Sequence, residues 1–387
     1  MKLILIFYIV VLLPFGLFAQ SQNRPEYLKK DNLEYHGLVW MVPAKKYYKG
    51  RLTLQSIERV LRENSYIDCL YIHSGWDDFE PIEGRMKFEK LDQIIKLAHK
   101  YNKPYKLTLV PGTHSPGWVY DRSIRVFKSR DSNPYHRNYG KKIRFPLPWD
   151  KTYLETWFSS VGRFLKRYKN DPYFVAVTLA GPSMNSPEWH LAKNPDDMKN
   201  WKKHGDFKGK IRDAWIETMK KYASILTHQH LILEASSTPV LGMEKEAIEI
   251  IEFGVNHFPT QFTLQTDQLN GRRDQMATPP YRRVFDYRKK IYVGFQNLAF
   301  LGDGKQERQG TFEMTVFNYV QAEANYLELW FSDGRNLDTS KRLKEMIRLA
   351  EKMGIEKYKA LLIKEGKYND QPDNYYKESV KKRKNKT

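Results

Sequence analysis

The sequence predicts a (β/α)8 barrel, a TIM barrel built as one domain, and three observations carry that reading. Eight short runs rich in β-branched and aromatic residues recur along the chain, and helical patterns with one apolar face lie between them. No Gly-rich dinucleotide loop follows the first run. Near-continuous apolar strands alternating with amphipathic helices imply a parallel sheet whose outer face is covered. Eight such units favour a closed barrel over an open doubly wound sheet.

The strands are expected at 36–42 (HGLVWMV), 67–73 (IDCLYIH), 105–111 (YKLTLVP) and 174–180 (FVAVTLA). They continue at 231–236 (LILEAS), 261–266 (QFTLQT), 291–296 (IYVGFQ) and 326–331 (YLELWF). Helical periodicity marks 91–101, 154–168, 212–226, 244–254 and 339–353. Two long polar insertions, 112–150 and 192–210, follow the third and fourth strands. Loops in those positions lie on the face where such barrels carry their sites.

The ends of the chain read differently. Residues 1–19 have one Lys, an apolar run from Leu3 to Phe18, Pro14 and Gly16 near its end, and a small Ala19. The run is short of the roughly 20 residues of a membrane span and reads as a cleavable signal peptide. No cysteine directly follows the run, so a secreted or periplasmic protein without stable membrane insertion or a lipid anchor is expected. The barrel then occupies 20–365, and 366–387 is expected to be a basic, loosely ordered tail ending KKRKNKT. Cys69 is the single cysteine, placed in a strand and expected to be buried, so no disulfide can form within the chain.

Composition narrows the partner. The 25 Tyr and 9 Trp exceed what a core ordinarily needs and suit the flat apolar platforms of sugar clefts. A formal net charge of +20 points to a polyanion, with an anionic glycan first. Nucleic acid is disfavoured by the lack of any helix-turn-helix, zinc or RNA-sheet motif. The ten His show no metal-ligand spacing and no Gly-x-Ser-x-Gly elbow exists, so neither a metal, a cofactor nor a serine nucleophile is expected.

The stretch Gly75-Trp76-Asp77-Asp78-Phe79-Glu80-Pro81-Ile82-Glu83-Gly84, followed by Phe88 and Leu91-Asp92, resembles the second βα unit of clan A glycoside hydrolases. It looks most like the β-galactosidases of family 42. Ser115-Pro116-Gly117-Trp118-Val119 is similar to the loop after the third strand in those enzymes. The resemblance implies hydrolysis of a glycosidic bond by a secreted enzyme acting on a polysaccharide or oligosaccharide. It also implies a Glu after an Asn at the end of the fourth strand and a second Glu at the end of the seventh. This chain has Ala180-Gly181 and later Glu188 after the fourth strand, and Gln296-Asn297 at the end of the seventh.

A glutamine cannot form a glycosyl ester, so the carboxyl pair that such chemistry needs is sought elsewhere. Glu188, beside Trp189 and His190, is expected to be the acid, with the first turn of a helix as its ordinary alternative. Glu328, alone among apolar residues on the eighth strand, is expected to be the nucleophile or base. Its alternative is an interior Glu held by a barrel cation. Asp333 is the reserve, and Glu234 and Asp267 are further acids near strand ends. Trp76, Asp77, His114, Trp118, His190, Gln265, Gln296, Asn297 and Trp330 are expected substrate contacts, each with ordinary packing as the alternative. The rival function is a catalytically inactive barrel that binds carbohydrate, and Gln296 favours it.

Overall fold

The computed structural model describes residues 34–132, 139–302 and 306–372. The signal peptide expected at 1–19 and the last residues of the basic tail lie outside them. Among the described residues there are ten strands: β1 Gly37–Pro43, β2 Cys69–Gly75, β3 Tyr105–Val110, β4 Val126–Arg130, β5 Lys142–Pro146, β6 Phe174–Thr178, β7 His230–Glu234, β8 Phe262–Leu269, β9 Tyr292–Asn297 and β10 Tyr326–Leu329. Eight of them close a barrel in the order β1-β10-β9-β8-β7-β6-β3-β2, every neighbouring pair parallel. All eight expected strands form. The sequence reading missed β4 and β5, an antiparallel hairpin inside the 112–150 insertion.

The strand pattern explains closure. Leu38, Trp40, Leu70, Ile72, Leu107, Val177, Leu231, Leu264, Val293, Leu327 and Leu329 face outward and form one buried core with the helices. Those helices include Leu54–Glu63, Phe88–Lys100, Lys151–Tyr168, Phe207–Ala223, Glu244–His257 and Leu337–Met353. Each strand alternates, so the intervening residues line the barrel interior. There Val39, Met41, Cys69, Tyr71, Ala176, Ile232 and Tyr326 pack together. Burial pushes the Cys69 thiol up to about 12, which leaves it a neutral packing group.

The tail begins later than the sequence suggested. Tyr368 donates to Asp274 (2.8 Å), and the Asp274 N–H donates to the Asn369 carbonyl (2.6 Å). Residues 366–369 are thus pinned beside the loop after β8.

The loops beyond β3 and β6 are wedged together. Gly112, at φ +71°, lies so close that an added Cβ would stand 2.0 Å from the Met184 carbonyl oxygen. Backbone on both sides leaves no flexible group to move aside, and φ in this region favours glycine. Gly112→Ala is expected to lower unfolding free energy by about 2–3 kcal/mol in urea denaturation, from strained backbone plus the clash. An unchanged midpoint would show that these loops do not close on each other.

Candidate active site

The barrel interior carries an ionic cluster that the sequence reading found only in part. Lys106 on β3 places its ammonium 3.0 Å from Glu234 on β7 and 2.6 Å from Glu328 on β10. All three side chains are wholly enclosed. The ammonium also lies 3.6 Å from the centre of the Tyr71 ring. Burial alone would lower the Lys106 pKa, but the two carboxylates outweigh it and hold it raised. Glu328 further accepts from the Tyr35 hydroxyl (2.6 Å) and the Gln265 amide (3.0 Å). Glu234 accepts from Thr178 (2.8 Å), which in turn accepts from Thr108 (2.8 Å). Burial and the Lys106 charge push the neighbouring strand histidine, His73, down to about 4, so it is neutral.

Towards the mouth this cluster passes into a second group of acids. Gln265 on β8 donates to Asp267 (2.8 Å) and accepts from Tyr326 (2.8 Å). The register of β8 against β9 shifts between Thr266 and Leu269, an irregularity that re-aims side chains at a strand end. Asp267 donates its N–H to the Ser236 hydroxyl (3.0 Å) just beyond β7. Ser236 also helps lower the pKa of Glu188, which arrives from the loop after β6. That loop is stitched to β7: the Trp189 N–H donates to the Glu234 carbonyl (3.2 Å), the Trp189 indole to the Ser237 carbonyl, and the Leu191 N–H to Pro239 (2.7 Å). Trp189 is fully buried and serves as the anchor that delivers Glu188 to the end of β7.

The two mouth acids are driven apart in acidity. Burial, then the charges of Glu234, Glu188 and Glu328, raise the Asp267 pKa well above the usual carboxylate range. Burial would raise Glu188 as well, but His190 at 3.0 Å, the Ser236 hydroxyl and the Lys193 charge overcome it and lower its pKa. The two carboxyl groups are thus pushed in opposite directions, Asp267 towards its protonated form and Glu188 towards its ionised form. Burial and the Glu328 charge also leave Glu234 raised, although Lys106 pulls it down.

The structure sorts the expected site residues. Glu188 and His190 come together, with side chains 25% and 23% exposed, beside Asp267 and Ser236. Glu328 takes its alternative form, an interior carboxylate clamped by a lysine and closed to solvent. Gln265 likewise spends its amide inside the barrel and offers no rim contact. Trp76 is fully buried, edge-on to Trp118 and Trp157, with its indole donating to Glu80 (2.9 Å), so it offers no platform. Asp333 is 1% exposed and accepts from the Leu301 and Gly302 N–H groups (3.1 Å each), which makes it a loop brace.

Asp77 meets His114 (3.3 Å) and accepts the Asp78 N–H (3.0 Å). Trp118 is half-buried and donates to the Glu80 carbonyl (3.1 Å). Trp330 is half-buried and donates to the Asn297 carbonyl (2.7 Å). Asn297 is buried at the end of β9, and Gln296 pairs in register with Glu328. Glu80, the signature residue of the resembling stretch, is wholly buried. It accepts from Gly84 (2.9 Å) and Arg163 (2.6 Å) and so locks the turn. Sequence reasoning missed Lys106 and Ser236. The signal for Lys106 was a lone cation in the apolar run YKLTLV.

Barrel, strand-end acids and the Trp76-to-Asp92 turn together define a glycoside-hydrolase-type (β/α)8 barrel. Residues 54–179 match the family model of glycoside hydrolase family 42, described as beta-galactosidase. A stretch of 105 residues is 31% identical to beta-galactosidase Pbg of Clostridium perfringens, covering 26% of this chain and 14% of that protein. Among solved structures, beta-galactosidase from the psychrophilic Marinomonas ef1 aligns with a TM-score of 0.51 at 12% identity, over 83% of this chain and 61% of the other. A crystal structure titled only a glycoside hydrolase aligns with a TM-score of 0.44 at 12% identity, over 72% of this chain and 82% of that one. The chain thus spans less than two thirds of the length of either beta-galactosidase. The resemblance read from Trp76 to Asp92 and the barrel read from the strand pattern both stand.

The interior cluster makes a sharp stability expectation. Lys106→Met leaves two buried carboxylates facing each other and should cost about 3–5 kcal/mol in denaturant unfolding. Replacing Glu234 and Glu328 with Gln in the same protein should recover a large part of that loss. Failure of the single variant to destabilise would mean the ammonium does not hold the pair.

Proposed function

We propose that this protein is a glycoside hydrolase in which Asp267 is the general acid and Glu188 the ionised partner. The single observation that carries this reading is the opposed acidity of two carboxyl groups at the barrel mouth, Asp267 at the end of β8 and Glu188 on the loop bound to the end of β7. Asp267, kept protonated by burial among Glu234, Glu188 and Glu328, would deliver its proton to the glycosidic oxygen as the bond to C1 breaks. Glu188, kept ionised by His190 and Lys193, would stabilise the oxocarbenium-like charge and act as nucleophile or as base for water. The expected acid role thus moves from Glu188 to Asp267, and the role expected for Glu328 moves to Glu188. Glu234 and Glu328 sit below as fixed negative charge partly cancelled by Lys106. The substrate is a polysaccharide or oligosaccharide, met outside the cytoplasm if the leader read over 1–19 is used.

The second reading, a barrel that binds carbohydrate without cleaving it, is favoured by Gln296 and Ala180-Gly181 at the two strand ends where the resembling enzymes carry Glu. Release of reducing ends from a panel of neutral, uronic and sulfated glycans separates the two. Glu188→Gln and Asp267→Asn should each lower kcat by about 100-fold or more. A panel that yields no reducing ends from the wild type while still binding glycan establishes the second reading. The pH profile follows from the signs. Activity needs Glu188 ionised, so kcat/KM rises through a pKa below the usual carboxylate range. It needs Asp267 protonated, so the rate falls through a pKa well above that range, and Asp267→Asn removes this alkaline limb. Glu188→Gln turning over as fast as wild type would remove Glu188 from the chemistry.

A further inference from the structure

The hairpin β4–β5 grows from the loop after β3, on the face that carries Glu188 and Asp267. Its two faces differ completely. Phe127 and Phe145 point inward, and Phe127 stacks on Trp201 with ring centres 3.6 Å apart. Trp201 is fully buried and donates to the Ala192 carbonyl (2.7 Å), which ties the hairpin to the loop bearing Glu188. The other face holds Lys128, Arg130, Lys142 and Arg144, all exposed. The register sets Lys128 opposite Arg144 and Arg130 opposite Lys142.

Like charges directly opposed across an antiparallel pair destabilise it, so two such pairs on one short ribbon are a cost the fold has to carry. Elsewhere on this surface cations find acids: Arg122 pairs with Glu83, Arg125 with Asp150, and Arg212 with Glu249. Among the described residues the four hairpin cations form no ion pair. Arg144 rests 4.4 Å from the centre of the Tyr120 ring, and Arg130 donates to the Gly140 carbonyl (3.1 Å). Cross-strand neighbours lie about 5 Å apart and same-face neighbours along a strand about 7 Å, giving a small rigid grid of positive charge. A closely spaced set of fixed anions fits such a grid, whereas a neutral sugar gains nothing from it.

Building on the glycan reading above, we propose that the exposed face of this hairpin is a binding site for a carboxylate- or sulfate-bearing polysaccharide chain leading into the barrel mouth. The rings packed beneath hold the cations in place, so the chain meets a preorganised surface. The apolar underside explains why a ribbon with opposed like charges persists at all.

The test reads binding to immobilised polyuronate and to chondroitin sulfate in Glu188→Gln protein, so that turnover plays no part. One variant neutralises Lys128, Lys142 and Arg144 with Gln. A control neutralises Lys341, Lys352 and Lys364, exposed lysines on the helices at the far end of the chain, with the same loss of charge. The hairpin variant is expected to bind at least about tenfold more weakly at physiological salt, the control to match its parent, and a neutral glucan to show no difference. Equal loss in both triple variants would mean that net charge alone acts and would overturn the site. Tighter binding of a single-stranded oligonucleotide than of either glycan at equal charge would overturn it too. Cleavage of a neutral glycan with no effect of the hairpin on binding would sink this proposal and leave the hydrolase standing. Hairpin-dependent binding with no cleavage of any glycan would do the reverse.

Discussion

An ammonium enclosed between two carboxylates inside a parallel barrel is a demanding arrangement. Lys106 reaches Glu234 and Glu328 from a different strand in each case, and none of the three side chains meets solvent. The desolvation of such charges is repaid only when partners and hydrogen bonds are complete. Here Tyr35, Gln265 and Thr178 supply hydrogen bonds to the carboxylates, and Glu234 Oε2 is left without one. The geometry of β3, β7, β8 and β10 is thereby coupled across the lumen, and slippage of any one strand would strand a charge. The same cluster places negative charge near Asp267, which together with burial raises its pKa.

The outward half of this molecule was legible in the sequence and the inward half was not. Leu38, Trp40, Leu70, Ile72, Leu231 and Leu233 alternate as a helix-covered strand must, and the barrel follows from them. The hairpin escaped notice because Val126–Arg130 and Lys142–Pro146 carry charge at every exposed position and mimic a polar loop. Glu188 was visible because it stands beside Trp and His in a strand-end loop. Its protonation state was not, since that depends on Ser236, His190 and Lys193 converging from separate segments. Trp76 illustrates the opposite error: a ring in a signature motif suggested a sugar platform, yet the motif's work is to close a turn around Glu80. A sequence shows which residues are unusual for their element, and only the closed barrel shows which way they point.

The mouth is assembled from loops that hold one another. Gly112 against Met184, Trp189 against the end of β7, and Trp201 between the hairpin and Ala192 join the loops beyond β3, β6 and β7 into one packed body. Glu188 therefore rides on a braced segment, which matters because a carboxylate misplaced by an ångström loses most of its effect on a reacting bond. The rim beyond β9 and β10 is braced separately, by Asp333 beneath Leu301 and Gly302 and by Trp330 on Asn297.

The crowded cations of the hairpin also bear on the medium in which the protein works. A chain with a formal net charge of +20 repels itself, and the repulsion is sharpest where Lys128 faces Arg144 and Arg130 faces Lys142. Mobile anions screen such contacts within a distance of about 8 Å at physiological ionic strength. Salt, which weakens most proteins' surface ion pairs, relaxes this surface instead. Brine and polyanion would then compete for the same face: the dissolved ions that make the fold comfortable are the ones a bound chain has to displace.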